Sequence, residues 1–442
     1  MKASTLLASI RDRVDGKPKV GIFFLLLLIA IFLSSFAITL EATSIFHPII
    51  DGEDTLTASG IAYVSNLMQL KLPVVTLAPE HPAFAQLIFG TFVGFLSFLN
   101  FTAQCLGGCV TAYATYDQVE KARIASAAVS SLGPVMLFLL VRDVTNDSLA
   151  GIASAVFLAS FPLYVLWSGM AYLDTICATF MIGALFFFYR GYRTKKSVHY
   201  LLAGIFGGLS LASKYFGVLT FVIIAAFYVL ELPKRGSVGL REVLTKFPLI
   251  LAAGALTFYL ADPIIWAHPI ILAESISYQR SSTPLSLVDP VRGFVFIGRD
   301  SLGESWGLLE TPALPLLGLI FGVAVGFFQL VRWRSTEGSG KTLLLLYFLT
   351  TLGFLTASLR KSPYYFMIVV PSVTALAAIG LLWLSRIVAR ISKVRSKVGG
   401  IGFDGVLAAL LVAYIYIDGI VTMGWLLLLF AIYLAAKRAN QL

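Results

Sequence analysis

Three carboxylates lie within four positions of the segment His47-Pro-Ile-Ile-Asp51-Gly-Glu53-Asp54. Grouped carboxylates hold divalent cations, and one carboxylate can deprotonate an attacking hydroxyl, so the segment is a candidate general base, metal site or both. Asp51 and Asp54 share a face if a helix begins here, because residues three apart are neighbours on a helix. The alternative is that these acids stabilise the positive end of that helix at a membrane surface.

A second candidate lies further along the chain in Glu80-His81-Pro82, directly before an apolar segment. Proline suits the first turn of a helix, so a helix is predicted to begin at this step. His81 is a candidate ligand for phosphate or metal because it lies in the same loop as the acids, with an interfacial histidine as the alternative. Asp51, Glu53, Asp54 and His81 together form the candidate set for a divalent cation such as Mg, Mn or Zn.

Cationic residues in apolar surroundings form a third group of candidates. Lys214 separates two apolar runs, where its charge indicates contact with a lipid phosphate or, alternatively, snorkelling to the headgroups. Arg360 and Lys361 interrupt an otherwise uncharged hairpin, and the arginine fork suits a phosphate. Tyr364 and Tyr365 follow closely and can hydrogen-bond the same anion. Headgroup anchoring is the alternative for this cluster.

The composition decides which elements position these groups. The chain has 442 residues, of which 58% are hydrophobic and only 13% are charged, and its mean hydropathy is +0.88. One soluble core cannot enclose that much apolar surface, so soluble enzymes and disordered scaffolds are excluded and an integral membrane protein is predicted. The net charge of +10 fits loops that face anionic lipid rather than nucleic-acid binding.

Apolar runs long enough for a membrane helix recur along the chain. The first, Val20–Leu40, follows basic residues and is too long for a signal-peptide core, so we expect an uncleaved helix with its N-terminus inside. Twelve further runs lie at about 84–103, 124–141, 148–168, 174–189, 199–213, 215–231, 246–261, 312–331, 342–359, 363–384, 401–417 and 419–436.

Basic patches indicate which of these thirteen runs cross the membrane. If the run 84–103 does not cross, five patches fall on the side of the N-terminus, as the positive-inside rule requires, and if it does cross all five fall outside. We therefore predict twelve crossings, with both termini cytoplasmic and an interfacial helix at 84–103. The patches lie at 190–196, 234–241, 332–334, 386–397 and 437–438.

Two long segments then lie outside, at about 41–123 and 262–311, and long outer loops are where chemistry is expected. The second contains candidate acceptor contacts at Tyr278, Arg280, Arg299 and Glu304. No internal repeat or inverted pair of broken helices is evident, which weakens a transporter interpretation. Cys105, Cys109 and Cys177 form no CxxC motif, so neither a disulfide framework nor a zinc site is indicated, and a Cys105–Cys109 bridge is left open.

The order of these motifs resembles the GT-C class of membrane glycosyltransferases. Within that class it is most similar to the branch of protein O-mannosyltransferases and aminoarabinose transferases, which use polyprenyl-phosphate sugar donors. The resemblance covers roughly residues 20–385. Its elements are the acidic pair after the first span, the His-Pro step, Met-Ala-Tyr-Leu-Asp174-Thr, Leu-Ser-Leu-Ala-Ser-Lys214-Tyr-Phe-Gly, Asp262-Pro-Ile-Ile-Trp266, and Arg360-Lys361-Ser-Pro-Tyr364-Tyr365 ahead of Val369-Val370-Pro371.

Two features depart from that branch. Its first loop usually carries Asp-Glu, whereas this chain has Glu53-Asp54, with Asp51-Gly-Glu53 as a competing match. The base is therefore open among Asp54, Asp51 and Glu53. Ala83 also replaces the second proline of the family's His-Pro motif.

The resemblance implies an all-α polytopic fold, namely a GT-C-like bundle of about 12 (11–13) transmembrane helices with a helical first outer loop. It places a catalytic module at 1–385, followed at 386–442 by a basic cytoplasmic loop and two C-terminal transmembrane helices. The implied reaction transfers a sugar, with inversion, from a dolichyl or undecaprenyl phosphate to a hydroxyl of a protein, lipid or glycan at the extracytoplasmic face of the plasma membrane.

Site roles follow from the same resemblance. The donor phosphate is assigned to Lys214, Arg360, Lys361, Tyr364, Tyr365 and His81. Asp174 and Asp262 are assigned to a second acidic site, although Asp174 alternatively caps the helix that begins there. The main competing class is a transporter or lipid flippase, which would carry ionisable residues near the middle of several spans. A binding-only membrane subunit is third.

Overall fold

The computed structural model describes residues 18–45, 49, 52–68, 81–97, 113–262, 265, 270, 273–274, 277, 298–299, 305–306, 320–324, 326, 339–357 and 363–391. Within these ranges the protein is a helical bundle, and the only strands are β1 (Gly298–Arg299) and β2 (Ser305–Trp306), which form one antiparallel pair. Its helices are α1 (Pro18–Ile45), α2 (Glu53–Met68), α3 (Ala83–Leu96), α4 (Tyr116–Ser130), α5 (Leu132–Thr145), α6 (Ser148–Ala159), α7 (Pro162–Ser168), α8 (Leu173–Thr194), α9 (Ser197–Ser213), α10 (Leu219–Ala261), α11 (Ser339–Ala357) and α12 (Val370–Ile391), with 3-10 turns at Tyr215–Val218 and Pro363–Ile368.

Six helical stretches of the described residues are long and apolar enough to cross a membrane. A seventh candidate is the pair α6 and α7, which is bent by 63°. The bend falls at Pro162, where a proline at the first helical position cannot continue the preceding hydrogen-bond ladder. A predominantly helical, multi-pass membrane fold is therefore confirmed, whereas the predicted count of about 12 transmembrane helices stays a prediction. The six stretches are Phe24–Glu41, Tyr116–Thr145, Leu173–Thr194, Tyr215–Pro233, Gly239–Ala261 and Gly340–Ala357.

One helix begins well before the apolar run that predicted it. The run 124–141 marks only the apolar part of a helical stretch that starts at Tyr116. A capping box explains the early start, because the Thr115 hydroxyl accepts from the Gln118 N–H and the Gln118 side chain accepts from the Thr115 N–H. Polar residues thus extend this helix towards the first loop.

Helix α10 is continuous in its hydrogen bonding but reverses direction. A straight helix would separate Phe221 and Gly254 by about 50 Å, yet a methyl group on Gly254 would lie only 2.5 Å from Cζ of Phe221. The reversal falls between the two candidate spans that end at Pro233 and begin at Gly239. Both halves pack on α9 through small residues, with Gly204 and Gly208 against the second half. The two separate runs predicted here, 215–231 and 246–261, fit this hairpin.

The helices give the bundle a basic end. Three ion pairs and one hydrogen bond connect α5, α8, α10, α12 and the start of α6 there: Arg190 with Asp143, Lys195 with Glu242, Arg386 with Asp147, and Arg193 with the Asp143 carbonyl. Helix α8 has 22 residues and is therefore about 33 Å long. Asp174, in its first turn, lies at the opposite end, which we call the site end.

The first loop leaves and re-enters the bundle at the site end. Glu53 at the start of α2 binds Arg123 of α4, and the Ala114 N–H donates to the Asp54 carbonyl. Between them α2 and α3 form a hairpin in which Gly60 and Gly90 lie backbone to backbone. Helix α3 has 14 residues, about 21 Å, which is less than the thickness of a bilayer core. The prediction that the run 84–103 does not cross the membrane fits this arrangement.

Candidate functional site

Glu53 forms a buried ion pair. The chain enters α2 through Gly52, whose φ of 91° favours glycine, and this turn places Glu53 with no solvent exposure. Its Oε1 and Oε2 accept from Nε and Nη2 of Arg123 at 2.9 and 2.5 Å, and Oε1 also accepts from the Ala171 N–H at 2.8 Å. This bidentate pair ties α2 to α4 and to the segment before α8.

Asp54 is the accessible member of the pair of adjacent acids. Its side chain is half-buried, and Oδ1 accepts from the Thr55 N–H at 2.7 Å. Consecutive helical residues point about 100° apart, so the contacts that bury Glu53 leave the neighbouring carboxylate turned away from Arg123. Asp51, the rival base, lies outside the described residues.

Lys214 and Asp174 form a second buried ion pair at the same end of the bundle. The lysine ends α9, and the aspartate lies in the first turn of α8. Nζ of Lys214 lies 2.7 Å from both carboxylate oxygens, although the two residues are 40 positions apart. The lysine is only 5% exposed and the aspartate is fully buried. The predicted helix start at Asp174 and hairpin at Lys214 are both present, and the structure adds their pairing.

An aromatic cage encloses the Lys214 ammonium. We define the cage as Phe216, Tyr364 and Tyr365, whose ring centroids lie 5.3, 4.9 and 4.5 Å from Nζ. Such cation–π contacts stabilise a desolvated ammonium. The two tyrosines belong to the 3-10 turn before α12. Four residues predicted for the site, Lys214, Asp174, Tyr364 and Tyr365, are thereby brought together.

The segment before α8 connects the cage with the acidic helix α2. Tyr172 packs its ring 5.3 Å from that of Tyr364, and its hydroxyl lies 3.7 Å from the position that a Cβ on Gly52 would take. Trp167 contacts both tyrosines edge to face, with ring centroids 4.9 and 5.4 Å apart. One continuous wall therefore runs from the turn before Asp54 to Lys214.

The remaining predicted residues are placed as follows. His81 is half-buried before α3, where its carbonyl and that of Pro82 accept from Gln86 Nε2. Asp262 is buried at the end of α10 that lies opposite the basic end. Arg299 lies in β1. Arg360, Lys361, Tyr278, Arg280, Glu304, Cys105 and Cys109 are outside the described residues, as are the predicted spans 401–417 and 419–436.

The described part of the acidic cluster does not by itself form a metal centre. Both Glu53 oxygens bind Arg123, which removes that residue from the candidate ligands. No group of three His, Cys, Asp or Glu side chains suited to a metal occurs in the part of the chain that the structure describes.

Sequence reasoning missed Arg123, Trp167, Tyr172 and Phe216. Arg123 lies directly before the apolar run 124–141, and a charge at that position was a usable signal for a buried partner. Tyr172 and Phe216 lie inside the quoted motifs around Asp174 and Lys214, where only the charged residue was selected. Trp167 carries no local signal, because its role depends on rings from other parts of the chain.

The fold is similar to that of solved GT-C membrane glycosyltransferases. The oligosaccharyltransferase of Archaeoglobus fulgidus in the apo form is similar, with a TM-score of 0.57, 17% identity, and coverage of 91% of this chain and 55% of that one. ArnT from Cupriavidus metallidurans bound to undecaprenyl phosphate has a TM-score of 0.54 at 15% identity, over 93% of this chain and 76% of that one.

Sequence comparison agrees with the class. Residues 108–267 match the family described as dolichyl-phosphate-mannose-protein mannosyltransferase. The chain is also 26% identical over 296 residues to undecaprenyl phosphate-alpha-4-amino-4-deoxy-L-arabinose arabinosyl transferase 2 of Pseudomonas fluorescens, covering 64% of this chain and 45% of that relative. It thus spans less than half the length of that curated relative. The resemblance predicted from the motifs is confirmed.

Proposed function

We propose that the protein is a glycosyltransferase that moves a sugar from a polyprenyl-phosphate donor, such as dolichyl or undecaprenyl phosphate, to an acceptor hydroxyl. The acceptor is a protein, lipid or glycan. One observation carries the proposal: an accessible carboxylate, Asp54, and a caged ammonium, Lys214, lie at the same end of the bundle and are joined by one aromatic wall. An inverting transfer needs these two kinds of group, a base on the acceptor side and cations on the phosphate side.

The proposed reaction uses Asp54 as the general base. Its carboxylate takes the proton of the acceptor hydroxyl while that oxygen attacks the anomeric carbon from the side opposite the phosphate. The new carbon–oxygen bond forms as the bond to the phosphate oxygen breaks, through a transition state of oxocarbenium character. The products are the inverted glycoside and the polyprenyl phosphate. Asp51 is the rival base, and we assign Glu53 to positioning α2 because its oxygens hold Arg123.

Several cations are proposed to neutralise the charge on the leaving phosphate. Lys214 gives two of its three N–H groups to Asp174, so one is left for a ligand and the pair has no net charge. The net positive charge is therefore assigned to Arg360 and Lys361. Both cations precede Tyr364 of the cage by only three or four positions in the sequence.

The other predicted site residues keep supporting roles in the proposal. Tyr364 and Tyr365 hydrogen-bond the phosphate, and His81 is a further phosphate contact. Asp174 orients Lys214, and Asp262 contributes negative charge at the same end of the bundle. No step of this reaction passes through a metal, although Asp51, Asp54 and His81 remain candidate ligands for a divalent cation.

The proposal also fixes the orientation in the membrane. The basic end faces the cytoplasm under the positive-inside rule, so the site end is extracytoplasmic and both termini are cytoplasmic after twelve crossings. The catalytic module predicted at 1–385 is extended to the end of α12 in this proposal. Because α12 runs from Val370 to Ile391 and its Arg386 binds Asp147, we place the boundary to the C-terminal region after this helix.

The distribution of buried charges favours an enzyme over a transporter or flippase. A transport path predicts ionisable side chains at mid-membrane in several spans. The buried charged residues of the described part instead lie towards the two ends of the bundle. They are Glu53, Arg123, Asp174, Lys214 and Asp262 at the site end, and Glu231 near the basic end.

The test is transfer by purified protein in lipid nanodiscs. Undecaprenyl phosphates carrying labelled mannose, glucose or 4-amino-4-deoxyarabinose are supplied with a cell-envelope extract, and label is followed into the acceptor fraction. Asp54→Asn is expected to slow transfer at least about 100-fold while donor binding persists. Asp117→Asn, an exposed acid of α4, is the control and should turn over normally. Transfer at near-normal rate by Asp54→Asn would reject Asp54 as the base, and Asp51→Asn would then be tested. No transfer by the wild type from any donor would reject the proposed glycosyltransferase activity.

A further inference from the structure

Trp167 carries a buried polar group that the bundle leaves unsatisfied. The side chain is only 7% exposed, and its indole Nε1–H has no acceptor in the described part of the chain. A buried indole N–H normally finds a partner, because leaving it unpaired costs free energy. The position is therefore one at which a ligand oxygen would be stabilised.

The neighbours of Trp167 restrict which part of a ligand reaches it. Its ring contacts Tyr172, whose hydroxyl approaches the turn before Asp54, and Tyr364, whose ring covers Lys214. Trp167 therefore lies between the base and the phosphate-binding cation of the proposed reaction. In a polyprenyl-phosphate sugar held for in-line attack, the anomeric carbon lies between the base and the phosphate. The sugar ring is attached to that carbon, so it is the part of the donor that reaches Trp167.

We propose that Trp167 recognises the donor sugar: its Nε1–H donates to a hydroxyl or ring oxygen of the sugar, and the aromatic rings of Trp167, Tyr172 and Tyr364 pack against its C–H groups. This inference rests on the proposed function. It makes Trp167 a specificity-determining residue for the sugar, whereas the lipid phosphate is bound by Lys214 and its neighbours. A site that hydrogen-bonds one substrate oxygen discriminates against sugars that lack it.

The experiment compares two ligands on two proteins. Binding of undecaprenyl phosphate and of undecaprenyl phosphates carrying mannose, glucose or 4-amino-4-deoxyarabinose is measured by microscale thermophoresis in nanodiscs, and the tightest sugar conjugate is kept as probe. Trp167→Phe retains a ring but removes the N–H. This variant is expected to bind the probe about 3- to 10-fold more weakly, the range for one neutral hydrogen bond, and to bind undecaprenyl phosphate with unchanged affinity.

A control and four outcomes make the test decisive. Trp383→Phe alters a tryptophan that is 43% exposed and lies in the half of α12 near the basic end, so it should change neither affinity. An equal loss for both ligands in Trp167→Phe indicates a structural role and overturns the inference, as does no loss for either. A wild type that binds undecaprenyl phosphate but gains nothing from any attached sugar also overturns it. A wild type that binds no polyprenyl phosphate contradicts the proposed function instead.

Discussion

Substitutions of the adjacent acids Glu53 and Asp54 are expected to have different effects. Substitution of Glu53 should lower the stability of the protein, whereas substitution of Asp54 should lower its activity and leave its stability unchanged. Glu53→Gln leaves the guanidinium of Arg123 buried without a counter-charge, since the side chains of the pair are 0% and 3% exposed. Breaking a buried pair from one side costs about 3 to 5 kcal/mol. Asp54→Asn keeps an oxygen that can accept from Thr55, so its free energy of unfolding should stay within about 1 kcal/mol of the wild type.

The assay is reversible unfolding in detergent with increasing SDS, followed by far-UV circular dichroism. Asp117→Asn is the matched control, because its pair with Lys121 joins an aspartate side chain that is 70% exposed, and such pairs contribute at most about 1 kcal/mol. The double variant Glu53→Gln/Arg123→Met removes both charges. It should recover at least half of the lost stability, since the uncompensated charge is the source of the cost.

Two results would refute this reasoning. Unfolding of Glu53→Gln within about 1 kcal/mol of the wild type would show that the pair is not the buried contact described above. A loss of stability in Asp54→Asn as large as that in Glu53→Gln would show that both acids are structural, which would also remove Asp54 from the proposed reaction.

Three further predictions concern the second ion pair, the hairpin and the topology. Asp174→Asn should destabilise the protein by about 3 kcal/mol and weaken binding of undecaprenyl phosphate, because Lys214 loses the partner that orients it. SDS unfolding measures the first effect and binding in nanodiscs measures the second. Glu120→Gln, a change at an exposed acid, is the control. Gly60→Ala places a methyl group against the backbone of α3 and should cost about 1 to 3 kcal/mol by SDS unfolding, whereas Gly353→Ala, with nothing within 4 Å of the new atom, should be neutral or stabilising by up to about 1 kcal/mol. In a cysteine-free background, a membrane-impermeant maleimide should label Asp117→Cys in intact cells but Lys196→Cys only after lysis, and the reverse pattern would invert the proposed orientation.

Much of the fold followed from local features of the sequence. Apolar runs located the helices because each span must satisfy its own backbone hydrogen bonds within about 20 residues. The bias of basic residues predicts that the run 84–103 does not cross the membrane, and this stays a prediction. Asp174 at a helix start and Lys214 in a hairpin were placed from the same local patterns. The polar start of α4 was not predicted from the apolar run, because the capping box that begins this helix lies outside the run.

The sequence by itself determined that this is a multi-pass helical protein with acids after its first span and isolated cations between later ones. Only the tertiary structure decided which acid pairs with which cation, because Glu53 meets Arg123, and Asp174 meets Lys214, through helix packing between distant positions. The residue types of Glu53 and Asp54 alone do not show which acid is structural and which is accessible. The distinction arises because a helix turns about 100° per residue, so the packing of α2 against α4 buries one carboxylate and leaves its neighbour accessible.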